Sequence, residues 1–172
     1  HVSLAADIAT TYLELRTLPS GIQDFVPLGD THAIGRFLAR YRDQNLYFGP
    51  ATRRTPGDGS LPNCADLWVV WADMDFKTLP ESQARTRLAD FPLPASIIIF
   101  SGGGLHPYWL LLTPIDVQRE TDRIYSVLRR LARHLGADLS AAEPARILRV
   151  PGSWNHKYDP PRRVTIERLE RN

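Results

Sequence analysis

Residues 66–76 read DLWVVWADMDF. The run is apolar on both faces until it reaches its acids, the mark of a central, buried strand. Asp73 and Asp75 stand two apart, and side chains two apart on a strand share a face. Two carboxylates held that close repel unless a cation sits between them. Hard oxygen ligands on a rigid strand suit Mg²⁺ or Mn²⁺. Short D-x-D patterns also arise by chance, and the plainer alternative is a strand ending in solvated acids. This strand is too hydrophobic for its end to be ordinary surface, and Lys77 follows directly to balance charge.

Working downstream, Pro80 in a first turn predicts a helix over 78–89, ended by Phe91-Pro92-Leu93-Pro94. ASIIIFS (95–101) reads as a second buried strand, Gly102–Gly104 as a turn, and 106–113 as its hairpin partner. Asp116 caps a long helix to about Leu135, stopped by Gly136. Residues 137–160 are irregular, and RVTIERL (163–169) alternates as a last strand. Upstream, Leu4, Ile8, Tyr12 and Leu15 predict a helix over 2–16, and Ile34, Phe37, Leu38 and Tyr41 another over 31–43. NLYFG (45–49) is a short strand, and 50–64, rich in Pro, Gly and Arg, a loop. The order predicts an α+β fold: an RRM-like (ferredoxin-like) palm sheet with helices on one face, leaving the other face for chemistry. About 1–64 would form a small N-terminal α/β module and loop, and about 65–172 the RRM-like part.

Two further segments bear on function. In SGGGLHPYW (101–109), Gly102 and Gly103 let backbone N–H groups approach an anion, and His106 follows on the face shared with Tyr108. Beside a triphosphate, that histidine donates a hydrogen bond or a charge; otherwise it is a histidine at a hairpin mouth. In 146–157, Arg146, Arg149, Asn155, His156 and Lys157 surround a Pro-Gly turn, donors for phosphates or a base edge, or a solvated basic loop. Asp138, just past a predicted helix end, is a third acid or a local cap. Arg53 and Arg54, in the 50–64 loop, are either contacts for primer, template or nucleotide phosphate or simply a solvated loop. The arginines of 119–133 read first as a solvated face.

At 172 residues and 43% hydrophobic content the chain suits one domain. No apolar run approaches a membrane span and nothing at the start reads as a signal peptide; His1 in place of Met reads as a trimmed start. The single cysteine, Cys64, excludes an internal disulfide and any multi-cysteine zinc site, and a cytoplasmic protein is the plain reading. A net charge of +2 is not diagnostic of nucleic-acid binding. Lys77 and Lys157 are the only lysines, every other cationic side chain being arginine. That bias reflects phosphate binding or simply a GC-rich or thermophilic host.

Taken together, Asp73-Met74-Asp75, then Ser101-Gly102-Gly103-Gly104-Leu105-His106, then Asp138, then RVPGSWNHK (149–157) resemble the ordered motifs of the archaeo-eukaryotic primase superfamily. The likeness is to the primase-polymerases of plasmids, phages and CRISPR-linked operons, RepB-like enzymes among them, and covers roughly 40–160. NLYFG with Arg53 resembles the strand and basic loop that precede those motifs. The resemblance implies metal-dependent, template-directed nucleotidyl transfer. Asp73, Asp75 and Asp138 would be catalytic and hold two divalent cations, Mg²⁺ or Mn²⁺, with no zinc site. Ser101, Gly102, Gly103, His106, Arg149, Asn155 and Lys157 would bind the nucleoside triphosphate, and Arg53 and Arg54 the nucleic acid. Single-stranded DNA template and primer are the implied partners, with no membrane. A helical primase C-terminal, helicase or CRISPR-related domain is expected in the full protein.

Two competing readings remain at this level. One is a non-catalytic RRM-like module that binds single strands through Trp68, Trp71, Tyr108 and Trp109. It has no RNP motif, and its acids would repel phosphate without metal. The other is a different metal-dependent phosphate enzyme, such as a D-x-D glycosyltransferase or a nuclease, which fits GGGLH and PGSWNHK less well.

Overall fold

In the computed structural model, which describes residues 11–170, the hydrophobic run becomes β5 (Cys64–Trp71), followed after two residues by β6 (Met74–Asp75). The interruption has a local cause across the sheet. β8 (Gly104–Asp116) pairs antiparallel with both, Trp71 opposite Tyr108 and Met74 opposite Leu105. Ala72 therefore falls opposite Pro107. Its N–H donates to Pro107 O at 3.2 Å, but proline has no N–H to return the bond. In the same register Asp73 comes opposite His106, and Asp75 pairs with Gly104.

Before β5 lie β1 (Tyr12–Leu18), β2 (Gln23–Pro27), α1 (Thr31–Arg40), β3 (Asn45–Phe48) and β4 (Ala51–Arg53). After β6 come α2 (Glu81–Ala89), β7 (Ile97–Phe100), β8, and α3 (Thr121–Leu135). The chain closes with β9 (Leu148–Arg149), β10 (Trp154–Asn155), β11 (Arg162–Arg163) and β12 (Thr165–Leu169). Ten strands form one antiparallel sheet in the order β12-β7-β8-β5-β4-β1-β3-β9, with β2 on β1 and β6 on β8; β10 and β11 form a separate hairpin. The expected α+β plan holds: β5, α2, β7, β8 and α3 follow in order, with β8 between β5 and β7. The last strand joins the outer edge at β7. The other side of β5 is taken by β4, so the N-terminal part continues the same sheet.

Ala84 of α2 and Leu131 and Leu135 of α3 pack with Ala72, Met74, Leu105 and Trp109. α3 buries Ile124, Leu128, Leu131, Ala132 and Leu135 at helical spacing and exposes Arg123, Arg129, Arg130 and Arg133. Its end is set by Gly136, left-handed at φ 70°. A third cluster joins Phe37 of α1 to Leu15, Val26 and Leu46.

Three sequence expectations are corrected. The described part of 2–16 is the strand β1; the rest of that stretch lies outside the described residues. The 50–64 stretch contains β4 and a 3₁₀ turn at Leu61–Asn63. Asp116 ends β8 and accepts from the N–H groups of Gln118 and Arg119, a turn cap, while the helix starts at Thr121.

Gly104 is where β6 and β8 run closest. A methyl there would overlap the carbonyl oxygen of Met74 and lie 3.2 Å from Asp75 Cα, both backbone. Gly104→Ala is expected to destabilise the fold by about 1–3 kcal/mol, the usual cost of overpacking, read as a lowered urea midpoint at unchanged slope.

Candidate active site

The register that puts Asp73 opposite His106 builds the centre of a polar cleft. A cross-strand pair on one face brings its side chains together. His106 Nε2 lies 3.3 Å from Asp73 Oδ1, and Arg146 Nη2 lies 3.7 Å from Asp73 Oδ2. Burial pushes the Asp73 carboxyl up, but the His106 hydrogen bond and the charges of Arg146 and Arg149 outweigh it and hold the group below its ordinary range. Asp75 accepts the Lys77 N–H at 2.9 Å, which fixes the turn after β6.

The cleft, about 140 Å³, is lined by Asp73, Asp75, Ser101, Gly103, His106 and Asn155, by Tyr47 and Tyr158, and by Lys77, Arg146, Arg149 and Lys157. Two carboxylates thus share it with four permanent cations. Carboxylates alone would draw a cation; the surrounding charge also suits an anion. His106 is buried, and its Nδ1 has no hydrogen-bond partner among the described residues.

Arg149 comes in on β9, opposite Tyr47 on β3, with its guanidinium 4.9 Å above the Tyr47 ring. Asn45 Oδ1 accepts from Arg149 Nη1 and from the His156 N–H, both at 2.9 Å, and so locks β9 and the following segment to β3. Burial lowers the Arg149 pKa and raises that of Tyr47. Asn155 Nδ2 donates to Ser101 O at 2.9 Å, and Ser101 Oγ to Gly104 O at 3.2 Å.

The structure therefore gathers Asp73, Asp75, Ser101, Gly103, His106, Arg149, Asn155 and Lys157 around one cleft, with Gly102 in the adjoining turn. Asp138 is placed differently. Its N–H bonds Asp73 O at 2.8 Å, so the backbone is adjacent, but its carboxylate caps Ser140 through N–H and hydroxyl at 2.8 and 2.6 Å. It does not line the cleft. No group of three His, Cys, Asp or Glu that could hold a metal occurs among the described residues.

Arg53 is also corrected. Arg53 is 0% exposed, ion-paired to Glu14 and bonded to Ala51 O, so its guanidinium is not presented to any nucleic acid. Arg54 is exposed and pairs with Asp116 at 3.5 Å. Both lie beside Cys64, nine residues before Asp73 along β5 and its continuation, about 30 Å at roughly 3.3 Å per residue. Of the four aromatics a stacking module would use, Trp71, Tyr108 and Trp109 are buried and only Trp68 is exposed.

Tyr47 and Tyr158 were not foreseen as cleft residues. For Tyr47 the alternation of NLYF, with Leu46 and Phe48 in the core, was an available signal. Tyr158 had none, because its partners lie 55 residues upstream.

No protein-family model matches the chain. A replication protein of Clostridium perfringens is 27% identical over 124 residues, which are 67% of this chain but 30% of that protein. The chain thus spans less than a third of the curated relative it matches. Among solved structures, the AEP domain of the cyanophage S-2L primase-polymerase aligns over 95% of this chain and 86% of its own at TM-score 0.60 and 19% identity. The catalytic domain of primase RepB′, solved in complex with initiator DNA, aligns over 94% and 78% at TM-score 0.63 and 15% identity. The chain has the fold of primase-polymerase AEP domains. No helix among the described residues is long and apolar enough to cross a membrane.

Proposed function

We propose that this chain is the catalytic core of a DNA primase-polymerase, carrying out metal-dependent, template-directed nucleotidyl transfer in replication or priming. The observation that carries the reading is the convergence of Asp73, Asp75, His106, Arg149 and Lys157, from three separate segments, on one cleft of a sheet with a primase-polymerase fold. The 27% identity to a replication protein points the same way.

Asp73 and Asp75 would hold Mg²⁺ or Mn²⁺, since Mg²⁺ is typically bound by one or two carboxylates with substrate phosphates completing the shell. The Asp138 carboxylate is engaged with Ser140, so Asp73, Asp75 and phosphate oxygens would supply the ligands for the two cations. When bound, such cations activate a 3′-hydroxyl and stabilise the charge that develops on the triphosphate. His106, already oriented by Asp73, would hold a phosphate oxygen through its unpartnered ring nitrogen. Arg149 and Lys157 would neutralise the rest of the triphosphate, with the fork of Arg149 pre-set by Asn45. The protein's work is positioning and electrostatics, with the nucleophile supplied by the primer. Single-stranded template, primer and nucleoside triphosphates are the proposed partners.

The test is extension of a labelled primer on single-stranded DNA by the wild-type chain with Mg²⁺ or Mn²⁺, beside metal-dependent binding of a nucleoside triphosphate. Extension with either ion is the expected result. Neither extension nor triphosphate binding would overturn the proposal and leave a nucleic-acid-binding module in front.

A further inference from the structure

The Ser101–Gly104 turn is gripped by the β10–β11 hairpin, in which Tyr158 and Arg162 have no role in the chemistry proposed so far. β10 and β11 pair Trp154 with Arg163 and Asn155 with Arg162. Three side chains of this hairpin meet three successive residues of the turn. Asn155 Nδ2 donates to Ser101 O, and Arg162 Nη1 donates to Gly102 O at 3.1 Å. The Tyr158 hydroxyl sits so close to Gly103 that any side chain there would overlap it. The Arg162 guanidinium also lies 4.0 Å over the Tyr158 ring, so the two side chains brace each other. Gly102 has a φ of 87°, and a Cβ there would meet the Cβ of Asn155 at 2.8 Å. The hairpin thus demands bare backbone at both positions.

This grip orients the turn. A planar trans peptide points its N–H opposite its C=O. With the carbonyls of Ser101 and Gly102 turned to the hairpin, the N–H groups of Gly102 and Gly103 are turned away from it. Neither N–H donates to a protein acceptor in the described hydrogen bonds. Ser101 and Gly103 line the cleft beside His106 and Lys157. Successive unused N–H groups in a turn form an anion-binding concavity.

We infer that Tyr158 and Arg162 are positioning residues for nucleotide phosphate: they hold the bare Gly102–Gly103 backbone so that its two N–H groups are preset for phosphate oxygens. The inference rests on the reading of the cleft as a triphosphate site. Tyr158 lines that cleft and Arg162 lies outside its lining, so the glycine turn is held from within the site and from beyond it. Without the brace, two glycines would sample many conformations, and ordering them would weaken binding.

The test uses the full chain with a deoxynucleoside triphosphate and Mn²⁺, measuring nucleotide Kd, the KM and kcat of primer extension, and Mn²⁺ binding alone. Arg162 is exposed and Tyr158 half-buried, so Arg162→Ala, Arg162→Lys and Tyr158→Ala are expected to fold, checked by melting. Each alanine variant should raise nucleotide Kd and KM about tenfold, and Arg162→Ala, outside the cleft lining, should do so with Mn²⁺ affinity and kcat unchanged. Arg162→Lys should recover little, lacking the planar fork. Gly103→Ala should be impaired alone, and the Gly103→Ala/Tyr158→Ala double variant less impaired than the two effects combined, because the overlap is relieved. Unchanged Kd and KM in Arg162→Ala, or simple additivity at Gly103 and Tyr158, with a wild type that binds nucleotide, would overturn the positioning role and leave the triphosphate site standing. A wild type that binds Mn²⁺ but no nucleotide would overturn both.

Discussion

An Asp73→Ala/Asp75→Ala variant should lose nucleotide incorporation by a factor on the order of 10³ or more while melting within a few degrees of wild type. The kinetic part follows from what the carboxylates are proposed to hold. Divalent cations contribute several kcal/mol of transition-state charge stabilisation in this class of reaction, and each 1.36 kcal/mol is tenfold in rate. The stability part follows from the contacts. Among the described residues the Asp73 carboxylate makes polar contacts with His106 and Arg146, and that of Asp75 with the Lys77 N–H. Neither anchors the hydrophobic core, and removing both relieves a like-charge pair. The variant should also lose Mn²⁺ binding measured without nucleotide, which separates a missing ion from a distorted cleft. Retained incorporation in a well-folded double variant would place the chemistry elsewhere in the chain.

The acids, the glycine turn and the basic segment were legible because each is a local pattern. Asp73 and Asp75 end an apolar run, and His106 sits at a fixed offset from a turn. Once the β7–β8 hairpin is assigned, its register carries His106 to Asp73. What escaped was pairing over distance. β1 was misread because buried Glu14 and Thr17 break its alternation, while Leu4, Ile8, Tyr12 and Leu15 happen to fall at helical spacing. Arg53 looked like a loop cation because its partner is 39 residues away. Arg162 reaches Gly102 across 60 residues. Asp138 is the opposite case. The Asp-Leu-Ser sequence is itself the signal of a local cap, and the structure uses it so.

Replacing Glu14 by glutamine is expected to cost about 3–5 kcal/mol of folding free energy, the usual result of stripping the partner from a buried charge. Glu14 and Arg53 are both 0% exposed and meet at 2.6 Å. The other carboxylate oxygen of Glu14 accepts from Arg16 and Gln23 at 2.6 and 2.7 Å, and Gly59 packs so close that a side chain there would overlap Glu14 Oε1 and the Gln23 amide or crowd Arg16. The pair thus ties β1, β2, β4 and the 54–60 loop together at the point where the N-terminal strands join β5. In the variant, the Arg53 charge stays buried without a counter-charge, and the new amide NH₂ must face either Arg53 or the Arg16 and Gln23 donors. Against a typical total stability of about 5–15 kcal/mol, that loss brings a marginal domain close to unfolding at ordinary temperatures. A Glu14→Leu/Arg53→Met double variant removes both charges and should recover most of the loss, since apolar replacement of a buried pair is often neutral or stabilising. Urea midpoints of the single and double variants decide the matter. A cost below about 1 kcal/mol for Glu14→Gln would mean that water reaches Arg53. Because the pair sits a strand's length from the acids, the recovered double variant should extend primers at the wild-type rate. The ion pair would then hold the two halves of the sheet together without entering the chemistry.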